Sequence, residues 1–213
     1  MPRQLRRLLI LLAAMAVPFP TFAGVYDDIL VAARDNRADI VVDLVQRGMD
    51  SNTSDRSGTT LLMFAAVNGN DELVEFLLRS RANILKQNKY GDTAVGLAAL
   101  VGNLPIVRRL VEAGADVATQ GWNALHYAAF NGHVEVVQFL VSKGAALDMP
   151  APNRQTALMF AARNGHLEVV KILVEADADM DMDDPEGNTA LDIALKAGNS
   201  QIADYLRSEG AEE

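Results

Sequence analysis

Cysteine is absent from the 213-residue sequence, and aromatic residues make up only 6% of it. The absence of cysteine excludes disulfide bonds, thiolate zinc sites, iron–sulfur clusters and cysteine nucleophiles. Basic residues are also in deficit, because 19 Lys and Arg stand against 28 Asp and Glu and give a formal net charge of −9. Nucleic-acid-binding proteins normally carry a basic surface, so the acidic balance argues against that class.

The first 23 residues differ in composition from the rest of the chain. Three arginines precede an unbroken apolar run at 8–17, which Pro18 ends, and the segment holds no acidic residue. This order is typical of a secretory signal peptide, and we expect cleavage after Ala23. A membrane-spanning helix needs about 20 apolar residues. We therefore interpret this shorter run as a cleaved signal rather than an anchor.

Removal of the signal peptide changes the charge of the chain. Because it takes away three arginines and no acid, the net charge goes from −9 to −12 over the remaining 190 residues. No later hydrophobic segment approaches membrane length, so we expect the mature chain to be free of the membrane. A chain without thiols avoids misplaced disulfides in an oxidising compartment. We expect export to a bacterial periplasm, with secretion to the exterior as the alternative.

The remainder of the sequence repeats with a period of about 33 residues. Ala-Ala pairs lie at 32–33, 65–66, 98–99, 128–129 and 161–162, and Ala194-Leu195 continues the series. An Asn or a Gly follows each pair three residues later, and then comes an apolar stretch with leucine. Apolar residues recur at i, i+3 and i+4 on both sides of this Asn or Gly, which predicts two short amphipathic helices per unit. Stacked units can bury the apolar face that one helix pair alone cannot.

Two stretches of the repeat resemble the ankyrin-repeat family closely. They are WNALHYAAFNGHVEVVQFLVSKGA at 122–145 and QTALMFAARNGHLEVVKILV at 155–174. The resemblance extends over about residues 25–213 and implies an all-α solenoid of about six helix–turn–helix units with short β-turn fingers. It places one ankyrin-repeat domain at 24–213, with units at about 25–54, 55–87, 88–117, 118–150, 151–183 and 184–213.

Two fingers depart from the repeat. The step from the third Ala pair to the fourth is three residues shorter than the others, which predicts a clipped finger over 114–123. In the fifth unit, Pro150, Pro152 and Arg154 stand where a simple turn with Gly is expected. We expect this fifth finger to be irregular.

The histidines and the aspartate-rich run have structural interpretations. The resemblance gives His126 the role of bracing a finger, whereas His133 and His166 follow the inter-helix Gly in the same register. We therefore predict no metal site and no cofactor. The run at 177–184 resembles the start of a calcium loop, but Met182 and Asn188 stand where Gly and a bidentate Glu are needed. Weak surface binding of calcium remains the alternative.

The sequence contains no nucleophile elbow, phosphate-binding loop, dinucleotide fingerprint or zinc-protease motif. The resemblance implies a non-enzymatic module that binds a protein or peptide on a concave face, which fingertips and first helices form. A partner of basic charge would suit the net charge of −12, and we expect a monomer. The alternatives are an enzyme or metal-dependent protein with an unrecognised site, and a structural assembly spacer.

The register of the repeats selects candidate partner-binding residues. Those that fall on the fingertips and the exposed side of the first helices are Arg56, Lys89, Asp92, Tyr90, Trp122, Phe130, Asn131, Gln155 and Arg163. We expect Tyr90, Trp122 and Phe130 to be the aromatic anchors. The alternative is that Trp122 and Phe130 pack on the neighbouring unit. We assign Phe64, Tyr127 and Phe160, which directly precede Ala pairs, to packing between units.

Overall fold

The computed structural model describes residues 22–212, and the side chains from residue 24 onward. The predicted signal peptide therefore lies outside the described residues, apart from the backbone of its last two positions. Twelve α-helices occupy this range. They are α1 Phe22–Arg34, α2 Ala38–Gln46, α3 Leu61–Val67, α4 Asp71–Arg79, α5 Ala94–Leu100, α6 Leu104–Glu112, α7 Ala124–Asn131, α8 Val134–Ser142, α9 Ala157–Asn164, α10 Leu167–Glu175, α11 Ala190–Ala197 and α12 Ser200–Ser208.

The helices form two layers. Each odd-numbered helix packs against the next odd-numbered helix, and each even-numbered helix against the next even-numbered one. Each odd-numbered helix also pairs with the even-numbered helix that follows it. We call these the inner and the outer helices. This arrangement confirms the predicted all-α solenoid of six helix pairs, and within residues 22–212 the only β-pairing is one antiparallel bridge between Ser54 and Thr60.

Small and polar residues of the repeat define the helix ends. Threonine caps four inner helices, and the Oγ1 of Thr60, for example, accepts a hydrogen bond from the N–H of Met63 at 3.2 Å. Such a cap satisfies an N–H that the first turn of a helix leaves free. Between the paired helices of the last five units a glycine takes a left-handed conformation, with φ of 73° at Gly132, and Asn36 takes it in the first unit. A residue with a Cβ is strained in that conformation.

The alanine pairs lie at the centre of the core. Both members of all five pairs are fully buried, and they join one continuous cluster with leucines and valines of the outer helices. Because an alanine side chain is a single methyl group, neighbouring inner helices can approach closely. The sequence repeat therefore sets the spacing of the inner layer.

Four of the fingers share one turn, of which the second is an example. There the N–H of Asp55 donates to the Thr59 carbonyl at 3.0 Å, and the N–H of Gly58 donates to the Asp55 carbonyl at 2.9 Å. The predicted irregularity of the fifth finger is wrong for the backbone. Both equivalent bonds form there, and Arg154 takes the left-handed conformation with φ of 62° in place of glycine. Within the described residues, the shortened finger at 114–123 has neither bond.

Candidate binding surface

The fingers are attached to the inner helices by side-chain contacts. The hydroxyl of Tyr127 on α7 donates to Asp92 Oδ1 in the third finger at 2.5 Å. The guanidinium of Arg163 on α9 donates to Gln155 Oε1 at 2.8 Å, and Lys196 Nζ on α11 donates to Asn188 Oδ1. These bonds attach the fingers to the inner helices, so that the two together form one surface.

We define the concave surface by the fingertip residues and the exposed inner-helix residues. The definition combines the exposure of each side chain with its register in the repeat. Its members are Arg34, Arg56, Lys89, Tyr90, Val101, Trp122, Phe130, Asn131, Arg154, Arg163, Glu186 and Lys196.

Trp122 lies in an aromatic cluster that joins the fourth and fifth units. Its ring stacks on Phe160 with centroids 4.8 Å apart and on Tyr127 with centroids 5.5 Å apart. Phe130 meets the edge of Trp122 at 6.5 Å and of Phe160 at 6.0 Å. The indole is half-buried by these contacts. Trp122 therefore packs on the neighbouring unit, as the alternative interpretation expected, while part of it still faces solvent.

Phe130 and Tyr90 present more of their rings to solvent. Phe130 is 42% exposed although it touches the cluster, and Tyr90 at the tip of the third finger is 74% exposed. Tyr90 has no stacking partner among the described rings. The structure therefore brings Trp122 and Phe130 together and leaves Tyr90 standing apart.

The three aromatic residues before Ala pairs pack between units, as predicted. Phe160 is buried, while Phe64 and Tyr127 are half-buried against the core. Burial first, and the bond to Asp92 second, raise the pKa of the Tyr127 phenol well above its usual value. Tyr127 is therefore a neutral hydrogen-bond donor that fixes the third finger.

Two of the predicted contact residues, Gln155 and Asp92, form hydrogen bonds within the protein. Gln155 is only 5% exposed, so its predicted place on the binding surface is wrong. Its amide is used internally, because Oε1 accepts from Arg163 and Nε2 donates to Asp184 Oδ2 at 3.4 Å. Asp92 is half-buried, and its two carboxylate oxygens accept from Tyr127 and from the Asn88 amide. Asp92 therefore holds the finger rather than offering a free charge.

The other four polar candidates are exposed. Arg56 and Lys89 stand at fingertips with no ion pair in the described part of the chain. Asn131 Nδ2 donates to the Tyr127 carbonyl at 3.0 Å, and Arg163 remains exposed beside Gln155.

A groove that the sequence did not single out lies at the first unit. It measures about 530 Å³ and is lined by α1 residues and the second fingertip, among them Tyr26, Val31, Arg34 and Arg56. Arg34 lies 5.8 Å from the centre of the Phe64 ring. Register could have found this residue, because Arg34 directly follows the first Ala pair, as Phe130 follows the fourth.

All three histidine rings form hydrogen bonds with backbone groups of neighbouring segments. His126 is buried, where its Nδ1 accepts from the N–H of Asn123 at 3.2 Å and its Nε2 donates to the Met149 carbonyl at 2.7 Å. Burial lowers the pKa of His126 below its usual value. His133 and His166 each donate from Nε2 to a carbonyl of the preceding unit at 3.0 Å.

The described residues contain no group of three or more His, Asp or Glu side chains arranged to hold a metal ion. In the aspartate-rich run, Asp184 is buried and its Oδ1 accepts three bonds from the sixth finger, namely from the N–H groups of Glu186 and Asn188 and from the Asn188 amide. None of the helices within 22–212 has the length and apolar character needed to cross a membrane.

Comparisons with known proteins agree with this geometry. The family model for ankyrin repeats (three copies) matches residues 29–88, 62–151 and 144–213. The Notch-regulated ankyrin repeat-containing protein of Homo sapiens is 38% identical over 82 residues, which cover 35% of this chain and 72% of that protein. Ankyrin repeat and SAM domain-containing protein 6 of Mus musculus is 37% identical over 101 residues, or 45% of this chain.

A relative with an enzyme name matches only in part. The glycerophosphocholine phosphodiesterase GDE1 of Candida albicans is 36% identical over 127 residues, or 56% of this chain. The chain spans only 11% of the length of this protein and of the mouse protein. Ankyrin repeats are in general modules for protein–protein interaction. Since the family model covers nearly all of the described residues, this chain belongs to the ankyrin-repeat family.

Proposed function

We propose that this chain is a non-enzymatic module that binds a protein or peptide segment on its concave surface. The observation that carries the proposal is the exposure of large apolar side chains there. Tyr90, Val101 and Phe130 are each more than 40% exposed, Tyr90 at a fingertip and the other two at the ends of inner helices. Exposed apolar and aromatic side chains on a firm support are typical anchors of an interface.

The surface is suited to binding because it is already formed. Side-chain bonds hold the third, fifth and sixth fingers against α7, α9 and α11, and Trp122 supports Phe130 from the side. A partner therefore loses little free energy to the ordering of this surface. We assign the role of anchors to Tyr90 and Phe130. Trp122 holds Phe130 in place and contributes the part of its ring that faces solvent.

We further propose that the chain acts after export, in the periplasm, as a monomer. The pattern of arginines, apolar run and Ala23 supports export, and the lack of thiols suits an oxidising compartment. Antibody detection in the periplasmic fraction, at a mass that lacks 23 residues, would support this location. Retention of the full-length chain in the cytoplasm would contradict it.

A catalytic role has less support. All three histidines are occupied in bonds to backbone groups. The match to the Candida phosphodiesterase covers a small part of that protein, so its printed activity is not carried over to this chain.

Selection of peptides from a random 12-residue display library tests the proposed function. The mature chain should enrich a defined set of sequences, and Tyr90→Ala with Phe130→Ala should weaken their binding at least tenfold. Leu85→Ala is the matched control, because Leu85 is 59% exposed but lies outside the concave surface. Thermal unfolding should be nearly unchanged in Tyr90→Ala and in the control, and circular dichroism should show that the Phe130→Ala variant remains folded. Absence of enrichment, or an equal loss in the control, would count against peptide binding on this surface.

A further inference from the structure

The basic residues of the outer helices are largely paired within the protein, with the exception of Arg108, which lies over the Phe139 ring. Arg47, Arg79, Arg109, Lys171 and Arg207 each form an ion pair with a carboxylate of the outer helices. The best formed of these is Arg109, which reaches both oxygens of Asp71 at 2.8 Å. These basic residues of the outer helices are therefore already bound to carboxylates of the protein itself.

The cations of the concave surface differ from this pattern. These are Arg34, Arg56, Lys89, Arg163 and Lys196, and none of them is in an ion pair within residues 22–212. Arg163 and Lys196 bond only to neutral amide oxygens. Arg154 is the exception, at 3.8 Å from Asp183, and both of these side chains are exposed.

The carboxylates near these cations keep their charge, but several of them already accept hydrogen bonds within the protein. Helices α3, α5, α7 and α9 contain no acidic residue, and Asp192 of α11 accepts two bonds from Thr189. Asp55 accepts from the backbone and hydroxyl of Ser57 and from the N–H of Thr59, and Asp92 is bound as described above. Other exposed carboxylates lie at the two ends of this surface, from Asp27 at the first unit and from Asp183 and Glu186 in the last finger.

From this distribution we infer that the segment bound on the concave surface is acidic. It also carries apolar side chains that contact Phe130 and Tyr90. The inference rests on the proposed function and names the chemistry of its partner. It reverses the expectation of a basic partner, which followed from net charge alone. Unpaired cations spaced along the surface attract carboxylates and set the register of the bound segment, while the apolar side chains between them contribute burial. An acidic outer layer repels a long polyanion such as nucleic acid, so an acidic protein segment is the better fit.

The same display selection tests the inference, because the net charge of the enriched sequences is an additional readout. The enriched 12-residue peptides should be acidic and should contain aromatic or large aliphatic residues. Binding of the best peptide, followed through the emission of Trp122, the sole tryptophan, should weaken at least tenfold between 50 and 500 mM salt as an order-of-magnitude expectation.

Reversing the charge of selected side chains tests which basic residues bind the acidic peptide. Arg56→Glu with Lys89→Glu should weaken the selected acidic peptide at least tenfold and shift a new selection towards neutral or basic sequences. Arg47→Glu with Arg79→Glu is the matched control on the outer helices, where both side chains are 72% exposed, and it should leave binding unchanged. Thermal unfolding of both pairs verifies that they remain folded.

The outcomes separate the inference from the proposed function. Enrichment of neutral or basic peptides, or insensitivity to the Arg56 and Lys89 reversals, overturns the acidic partner and leaves peptide binding standing. No enrichment of any peptide overturns both. A single-stranded oligonucleotide that binds as tightly as the acidic peptide would reveal general polyanion binding, and this also overturns the inference.

Discussion

Asn123 differs from every other cap of the inner helices α3, α5, α9 and α11, which begin after threonine. Its Oδ1 accepts from the N–H of His126, but its Nδ2 is buried and has no hydrogen-bond partner among the described residues. An unsatisfied buried donor costs about 1–3 kcal/mol. The unpaired amide of Asn123 therefore lowers the stability of the fourth unit.

Replacement of this cap should stabilise the protein. Asn123→Thr keeps a capping oxygen and removes the unpaired amide, so we expect the free energy of unfolding to rise by about 1 kcal/mol. Denaturant unfolding followed by circular dichroism measures the change. Thr156→Asn, the reverse substitution in the fifth unit, is the control and should lower stability. A loss of stability in Asn123→Thr would mean that the amide has a partner in solution.

His126 should make the stability of the protein depend on pH. Burial lowers the pKa of the folded form, so the folded state favours the neutral ring while the unfolded chain titrates at its usual value of about 6.5. The unfolded state then binds more protons below that pH. The contribution of His126 is therefore complete above about pH 6.5 and is lost as the pH falls below it.

Unfolding measured between pH 8 and pH 5 tests this expectation. The free energy of unfolding should fall below about pH 6.5, and His126→Gln should be less stable at pH 8 but show a shallower decline. His166→Gln is the control, since His166 lies near the surface at the inter-helix turn. An equally shallow decline in the control would assign the pH dependence to another group.

At the scale of the element, the fifth finger combines a regular turn with an unfavourable residue. Arg154 has a positive φ of 62°. Glycine, also with a positive φ, occupies the equivalent position in the second, third and sixth fingers. The left-handed conformation costs a residue with a Cβ about 1 kcal/mol. The turn persists because its two backbone bonds form and Arg154 faces solvent, so no packing has to change.

Arg154→Gly should therefore raise the free energy of unfolding by about 0.5 kcal/mol, after the greater flexibility of glycine in the unfolded chain is included. Chemical denaturation measures the difference. Arg154→Ala is the control that removes the same side chain without relieving the backbone, and it should not stabilise. If both variants gain equally, the side chain rather than the backbone was unfavourable.

Helices could be predicted from the sequence because their determinants are local. The apolar periodicity, the Ala pair, the inter-helix Asn or Gly and the capping residue of each helix pair all lie within one unit. The burial of Gln155 could not be predicted, since it depends on Arg163 and on Asp184 of the next unit. For Trp122 the sequence left two interpretations open, because its ring reaches from the shortened finger to Phe160 of the next unit. Contacts between units are not encoded in the register of a single repeat.

At the scale of the whole molecule, a solenoid depends on the contact of each unit with its neighbours. The aromatic cluster strengthens the contact between the fourth and fifth units, because Phe160 lies against Trp122, His126 and Phe130. Only two units follow this contact, whereas four precede it. About three repeats are needed for independent stability, so the last two units depend on the cluster.

Phe160→Ala should therefore divide the unfolding of the molecule into two steps. Loss of a fully buried phenylalanine costs about 3–5 kcal/mol, and here the loss falls on one contact between units. The fifth and sixth units should unfold first with about a third of the helical signal. The emission of Trp122 should follow the later transition, because Trp122 still stacks on Tyr127 of its own unit.

The measurement compares circular dichroism and Trp122 emission across a denaturant titration. In the unmodified chain the two transitions should coincide, since one continuous core couples the units. Phe64→Ala is the matched control, because Phe64 has the same register but lies half-buried outside the cluster. It should lower stability less and keep the transitions together. Coincident transitions in Phe160→Ala would mean that the backbone and alanine contacts of α7 and α9 couple these units without the aromatic rings.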